Sequence, residues 1–374
     1  MVPANAPFTD EHWQQLIGIL NAHDDSAPAE LIEALFHVSE IANDQGMDSL
    51  LVAASKTGIE LPEGDLTAAD LALLIWMHDP DLLRRTACER LVLRFQSFYC
   101  YMNRTLDAPL FELPPDRVLR QIEQGINLHN RGRRRGGGAA VWMYEFGNEV
   151  AFLIRCGGSL RRDEVMVNDQ CRLDIRRPVG YDLVVYNQTS GELRIRAELI
   201  GERRFYCRLF SEQLFADPEF FEHCETFKLD AIYELGEEVQ SAAMVPGIQR
   251  ITLLEIQEVL LGERTLHVTL KSEAIFEAFR EHSRRLSPAG RLLSAKFRVE
   301  LQDIGEVTVT ICSGNKIRFS RQVGAAAIDQ WLTHHGIRVT QHAALSNQAT
   351  STLASHLAHP KPKGAKVSVA GRAG

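Results

Sequence analysis

Residues 181–199 read Tyr181-Asp182-Leu183-Val184-Val185-Tyr186-Asn187-Gln188-Thr189-Ser190-Gly191-Glu192-Leu193-Arg194-Ile195-Arg196-Ala197-Glu198-Leu199. The second arm alternates charged and apolar residues, the first is rich in β-branched and aromatic side chains, and Gln188-Thr189-Ser190-Gly191 between them is turn chemistry. This is the clearest β-hairpin in the chain. It marks a change of period, because the residues before about 104 repeat at three to four.

Working outward, the N-terminal part is helical. Thr9 is a good N-cap for a helix carrying Trp13, Leu16, Ile17 and Leu20. Residues 29–42 and 47–55 repeat the pattern. Thr67 and Asp70 form a capping box that opens a helix over 68–78, and Pro80 restarts the chain into a long helix through Leu91, Phe95 and Phe98. After Pro109, Pro114 and Pro115 a short helix is expected over 116–124. Residues 140–144 and 149–155 alternate as strands about Phe146-Gly147-Asn148, and 202–215 returns to helix. Further on, 249–257, 265–270, 292–301, 307–312 and 316–319 read as strands, with helices over 272–286 and 325–334.

The fold class is therefore α+β. An N-terminal helical domain (1–104) precedes a β-rich central domain (105–244) and a C-terminal α+β domain (245–340). Residues 341–374 form a tail expected to be disordered, in which Lys361, Lys363, Lys366 and Arg372 face no acid.

Composition narrows the class. Hydrophobic residues at 45% and charged residues at 24% suit a globular chain with a sizeable core. The net charge of -8 gives no global argument for nucleic acid. Its distribution is uneven: the first hundred residues hold sixteen acids against five bases, so the rest is mildly basic. The seven cysteines are scattered, odd in number and without CxxC or zinc spacing, which suits buried free thiols in a reducing compartment. No apolar run reaches the ~18 residues of a membrane span. No signal peptide is evident, and the expected location is the cytoplasm.

Two stretches carry candidate chemistry. In Arg131-Gly132-Arg133-Arg134-Arg135-Gly136-Gly137-Gly138, four guanidinium groups are followed by three glycines. Guanidinium forks match phosphate oxygens, and glycines let backbone N–H groups converge on an anion. Trp142, Tyr144 and Tyr181 are nearby stacking faces if they point the same way, and Arg155, Arg161, Arg162, Arg172, Arg176 and Arg177 extend the basic surface. The opposing reading pairs these arginines with the acidic helical domain. No nucleotide-binding fingerprint follows the glycines. Lys316 and Arg318, in Ser313-Gly314-Asn315-Lys316-Ile317-Arg318, form a second basic patch with Arg321 and Lys296.

The hairpin supplies the other stretch. Asp182, then Glu192 two residues before Arg194, resembles the order of the PD-(D/E)xK nuclease signature. That resemblance covers this hairpin alone and implies carboxylates holding Mg²⁺ with a cation steadying the attacking water. The cation here is Arg, a poor proton acceptor, and the tight turn pairs Asp182 with a residue near Ala197. The competing reading is a solvent-facing row of Glu192, Arg194, Arg196 and Glu198 over an apolar inner face.

The expected function is that of a non-catalytic, nucleic-acid-associated accessory protein of a bacterial system such as genome maintenance or phage defence. Arg131, Arg133, Arg134, Arg135, Lys316 and Arg318 would grip the backbone, and the helical domain would recruit a protein partner. A protein–protein adaptor and a metal-dependent nuclease using Asp182, Glu192 and Arg194 are the alternatives. No cofactor and no resident metal are expected.

Overall fold

The computed structural model describes residues 29–62, 64–103, 111–167, 169–222, 224–260, 263–286, 290–302, 305–320 and 324–339, with Thr9, Glu11 and Gln14. The helix expected after Thr9, Arg321 and the segment 341–374 lie outside the described residues. The chain is mixed helix and sheet. No described helix is long and apolar enough to cross a membrane.

Four helices come first: α1 (Ala29–Ile41), α2 (Asp44–Thr57), α3 (Ala68–His78) and α4 (Pro80–Arg94). Local signals set their ends. Asn43 caps α2 by accepting from Gly46 N–H, the Thr67/Asp70 capping box opens α3, and Asp79 with Pro80 opens α4. Ile41, Leu50, Leu71, Ile75 and Leu83 form their shared core.

The long helix expected through Phe98 stops earlier. Phe95 turns extended at φ -73, ψ 127, and Ser97–Asn103 is strand β1. The stretch Ser97-Phe98-Tyr99-Cys100-Tyr101 is rich in aromatics that pack well on a pleated surface, and this outweighs the i, i+4 spacing inherited from α4.

β1 lies in the middle of one large antiparallel sheet. The remaining strands are β2 (Ala140–Phe146), β3 (Glu149–Gly157), β6 (Val179–Asn187), β7 (Glu192–Arg196), β8 (Phe221–Glu222), β9 (Ile248–Leu260), β10 (Leu266–Lys271), β11 (Gly290–Leu301), β12 (Gly305–Cys312) and β13 (Lys316–Arg318). The order is β10-β9-β11-β12-β13-β1-β7-β6-β3-β2, with β8 beside the end of β1. Tyr99 pairs with Lys316 on one side and Ile195 on the other, so β1 joins strands from beyond 245 to the hairpin. Strands β4 (Arg161–Val167) and β5 (Gln170–Arg176) form a separate two-stranded hairpin that the sequence reading left without structure.

Both faces of the β1-β7-β6-β3-β2 half of the sheet are covered. Helices α5 (Asp116–Gly132) and α6 (Ile200–Phe215) lie over Phe152, Val184, Tyr186, Leu193 and Ile195. The other face buries Leu153, Leu183 and Val185 with Val92 of α4, Ile232 of α7 (Asp230–Leu235), Ile275 of α8 (Ile275–Glu281) and Trp331 of α9 (Ala325–His334). Trp331 donates its Nε1–H to the Val239 carbonyl at 3.0 Å, so its polar end is satisfied in the core. The row Glu192, Arg194, Arg196 is thus not a solvent face: Glu192 and Arg194 are both 0% exposed.

Candidate nucleic-acid interface

Helix α5 runs eight residues past the expected end at 124 and delivers the arginine stretch at its C-terminus. Arg131 lies in its last turn and Arg133 is its C-cap. Arg134 takes the left-handed conformation (φ 58), while Gly136 and Gly138 sit at φ 87 and 95, where side chains other than glycine are strained. The last glycine's N–H is turned back onto the helix rather than toward an open anion site. Gly138 and Ala139 donate to Asn127 Oδ1 at 2.8 and 2.9 Å, and Val141 N–H donates to Glu123 Oε1 at 2.9 Å. The loop is tied to its own helix.

Its arginines divide into two kinds. Arg135 is half-buried and ion-paired with Glu202 in the first turn of α6. Arg131, Arg133 and Arg134 are exposed, and none has a carboxylate partner among the described residues. Among the described residues, none of these arginines pairs with the acidic helical part. The Arg133 guanidinium lies over Gly201, where an added Cβ would stand 3.1 Å from Nη2.

Beneath the loop is a cleft of about 690 Å³ that wraps one end of the sheet. Five cations line it: Arg135, Arg161, Arg196, Arg203 and Lys316, against the carboxylates of Asp182, Glu198 and Glu202. Aromatic faces hold several of them. Arg203 lies 3.7 Å and Lys316 5.5 Å from the Tyr99 ring centre, and Arg196 lies 4.3 Å from that of Phe95. Arg203 is fixed further by Nη1 donating to the carbonyls of Ala197 and Glu198. Lys316 is half-buried and makes no ion pair with a described residue. Arg318, two residues on, is exposed on the same face of β13.

Asp182 lies at the cleft floor and is buried. Its Oδ2 accepts from the Tyr206 hydroxyl at 3.0 Å, and its Oδ1 is 3.7 Å from Arg196 Nη1. Burial raises its pKa above the ordinary carboxylate value, and the Tyr206 bond and the nearby Arg196 and Arg135 offset this only in part. Burial also raises the Tyr206 phenol and the Cys156 thiol beside it.

Glu192 and Arg194 belong elsewhere. Cross-strand partners share a face, so the pairs Leu183↔Arg196, Val185↔Arg194 and Asn187↔Glu192 put Glu192 and Arg194 on the face opposite Asp182. Asp182 lies five residue steps along β6 from Asn187, the partner of Glu192, about 17 Å. The two carboxylates have no common metal position, and no group of three metal-ligating side chains occurs among the described residues. Instead, Arg194 Nε meets Glu192 Oε1 at 2.5 Å, Nη1 meets Glu149 Oε1 at 3.0 Å, and Nη2 meets Asp329 Oδ2 at 2.6 Å. Arg338 binds Glu192 and Asp329 at 3.0 and 2.9 Å. This buried network backs a second cavity of about 1060 Å³, walled by Glu149, Asp329 and Arg338.

The structure thus brings Arg135, Lys316 and Asp182 to one cleft, with Arg131, Arg133 and Arg134 in the loop above it. Of the expected stacking faces, Tyr181 lines the cleft. Tyr144 is buried in the core, and Trp142 is covered by Arg155 at 5.2 Å. Sequence reasoning missed Arg203 and Tyr99, although the Arg203-Arg204 doublet at a helix start and the aromatic run of β1 were the available signals. In comparison with known proteins, no family model matches the chain and no curated protein matches it.

Proposed function

We propose that this protein is a non-catalytic nucleic-acid-associated factor that holds the sugar–phosphate backbone at the arginine loop and the cleft beneath it. One observation carries the reading: Arg131, Arg133 and Arg134 are exposed without carboxylate partners, beside a cleft where five cations face three carboxylates. Such a surface attracts polyanions by counterion release, irrespective of sequence. Lys316 and Arg318 extend it along β13. An accessory role in bacterial genome maintenance or phage defence suits a binder of this kind. Titration of labelled single- and double-stranded DNA and RNA across a salt series tests it. Binding that falls steeply with salt and is lost in an Arg131→Glu/Arg133→Glu/Arg134→Glu variant supports the reading, and no binding at low salt overturns it.

A protein adaptor is the second reading, favoured by the β4–β5 hairpin. Glu164↔Leu173, Met166↔Cys171 and Arg162↔Ile175 pairing puts Met166, Leu173 and Ile175 on one face, exposed by 64%, 60% and 56%. A partner that stays bound after nuclease treatment and is lost in Leu173→Ser/Ile175→Ser supports that role.

A further inference from the structure

We propose that the cleft under the arginine loop receives a phosphomonoester, the terminal phosphate of a nucleic-acid strand. The inference rests on the nucleic-acid reading above and specifies what this part of the surface recognises.

Three features of the cleft carry it. The first is charge. Five cations against three carboxylates leave an excess of two positive charges. A phosphomonoester approaches two negative charges at neutral pH, because its second pKa is about 6, whereas an internal diester carries one. The second is depth. The groups at the floor are buried: Asp182 is 8% and Arg203 9% exposed. A backbone diester is substituted on two oxygens and must enter and leave along the surface. A chain end alone presents a tip that reaches buried groups. The third is the state of those groups. Arg135 is engaged by Glu202, and Arg203 by two backbone carbonyls and the Tyr99 ring. Lys316 and Arg161 line the same cleft and hold no carboxylate among the described residues. They are the cations available to a ligand, and the engaged arginines hold the walls. Exposed Arg131, Arg133 and Arg134 then hold the following backbone and do not distinguish an end from an interior.

The test compares full-length protein binding to one oligonucleotide bearing a 5′-phosphate, a 3′-phosphate or hydroxyls at both ends, at fixed salt. Inorganic phosphate and a nucleoside monophosphate serve as competitors. One phosphorylated end should bind about tenfold tighter or better. Lys316→Gln and Arg161→Gln should each shrink the ratio between phosphorylated and hydroxyl ends. The exposed-arginine triple variant should weaken all three oligonucleotides while keeping the ratio. Equal affinity for all ends overturns the inference and leaves backbone binding standing. Absence of binding by every oligonucleotide overturns the nucleic-acid reading itself. A mononucleotide that binds as tightly as the phosphorylated oligonucleotide overturns the assignment to strand ends in favour of a free nucleotide.

Discussion

Arg194 and Asp329 are 135 residues apart in sequence and meet at 2.6 Å between Nη2 and Oδ2. The contact fastens the central hairpin to helix α9, and through Arg338 it closes a ring of alternating charges around Glu192. Removing one member leaves its opposite charges buried and uncompensated. Arg194→Ala is therefore expected to cost about 3–5 kcal/mol of folding stability. An exposed pair gives the contrast: Arg280→Ala, which breaks an ion pair with Glu237, is expected to cost under about 1 kcal/mol. Denaturant unfolding of the two variants checks this, and equal midpoints would mean that the buried ring adds nothing to stability.

Asp182 predicts the sign of a pH effect. Its folded-state pKa is raised by burial above the ordinary 3.8. The folded chain keeps this proton to higher pH than the unfolded chain does. Asp182 therefore contributes most to stability in acid, and that contribution is lost as pH rises from about 4 through its raised value. Asp182→Asn keeps an acceptor for the Tyr206 hydroxyl and removes the titration. Its stability relative to the parent is expected to improve between pH 4 and pH 8. Urea unfolding at both values measures the difference, and a difference independent of pH would show that Asp182 ionises in the folded chain as it does in the unfolded one.

How far the sequence discloses this molecule depends on the range of the interaction. The Thr67/Asp70 box, the hairpin turn at 188–191 and the strands about Gly147 are local, and each lies where its residues place it. The charged alternation Glu192, Arg194, Arg196 shows that two faces differ and is silent on what covers the charged one. The answer lies in Asp329 and Arg338, more than 130 residues away. The cleft is similar. Its Arg135 and Lys316 were legible as basic residues in separate stretches. Their convergence depends on β1, whose Phe98 continues the helical spacing of Leu91 and Phe95 and so reads as helix by spacing alone.

The arginine loop is held by a side chain that makes no contact with any proposed ligand. Asn127 accepts from Gly138 and Ala139 N–H, and these two bonds fix the chain after three glycines. Asn127→Ala removes this acceptor from two donors that are exposed or part-buried, at a cost of about 0.5–1.5 kcal/mol. The loop should then open more often, and trypsin should cut among Arg131, Arg133, Arg134 and Arg135 at a higher rate than in the parent. Cleavage rates that match would mean that the left-handed turn and the Arg135–Glu202 pair suffice to hold the loop.

The same division between anchored and free arginines sets an expectation for salt dependence. Arg135 is committed to Glu202, whose carboxylate is buried, so Arg135→Ala should lower folding stability and change nucleic-acid binding chiefly through the loop's shape. Arg131, Arg133 and Arg134 lose nothing structural on replacement, since no carboxylate among the described residues holds them. If each meets one phosphate of a single strand, their joint replacement by Gln should flatten the slope of log affinity against log salt by about 2, at ~0.7 per contact. The unfolding midpoint of that triple variant should stay at the parent's value. Binding isotherms between 50 and 200 mM salt measure the slope. A parallel line displaced to lower affinity would place the phosphates away from these three side chains, and a lost folding transition would make them structural after all.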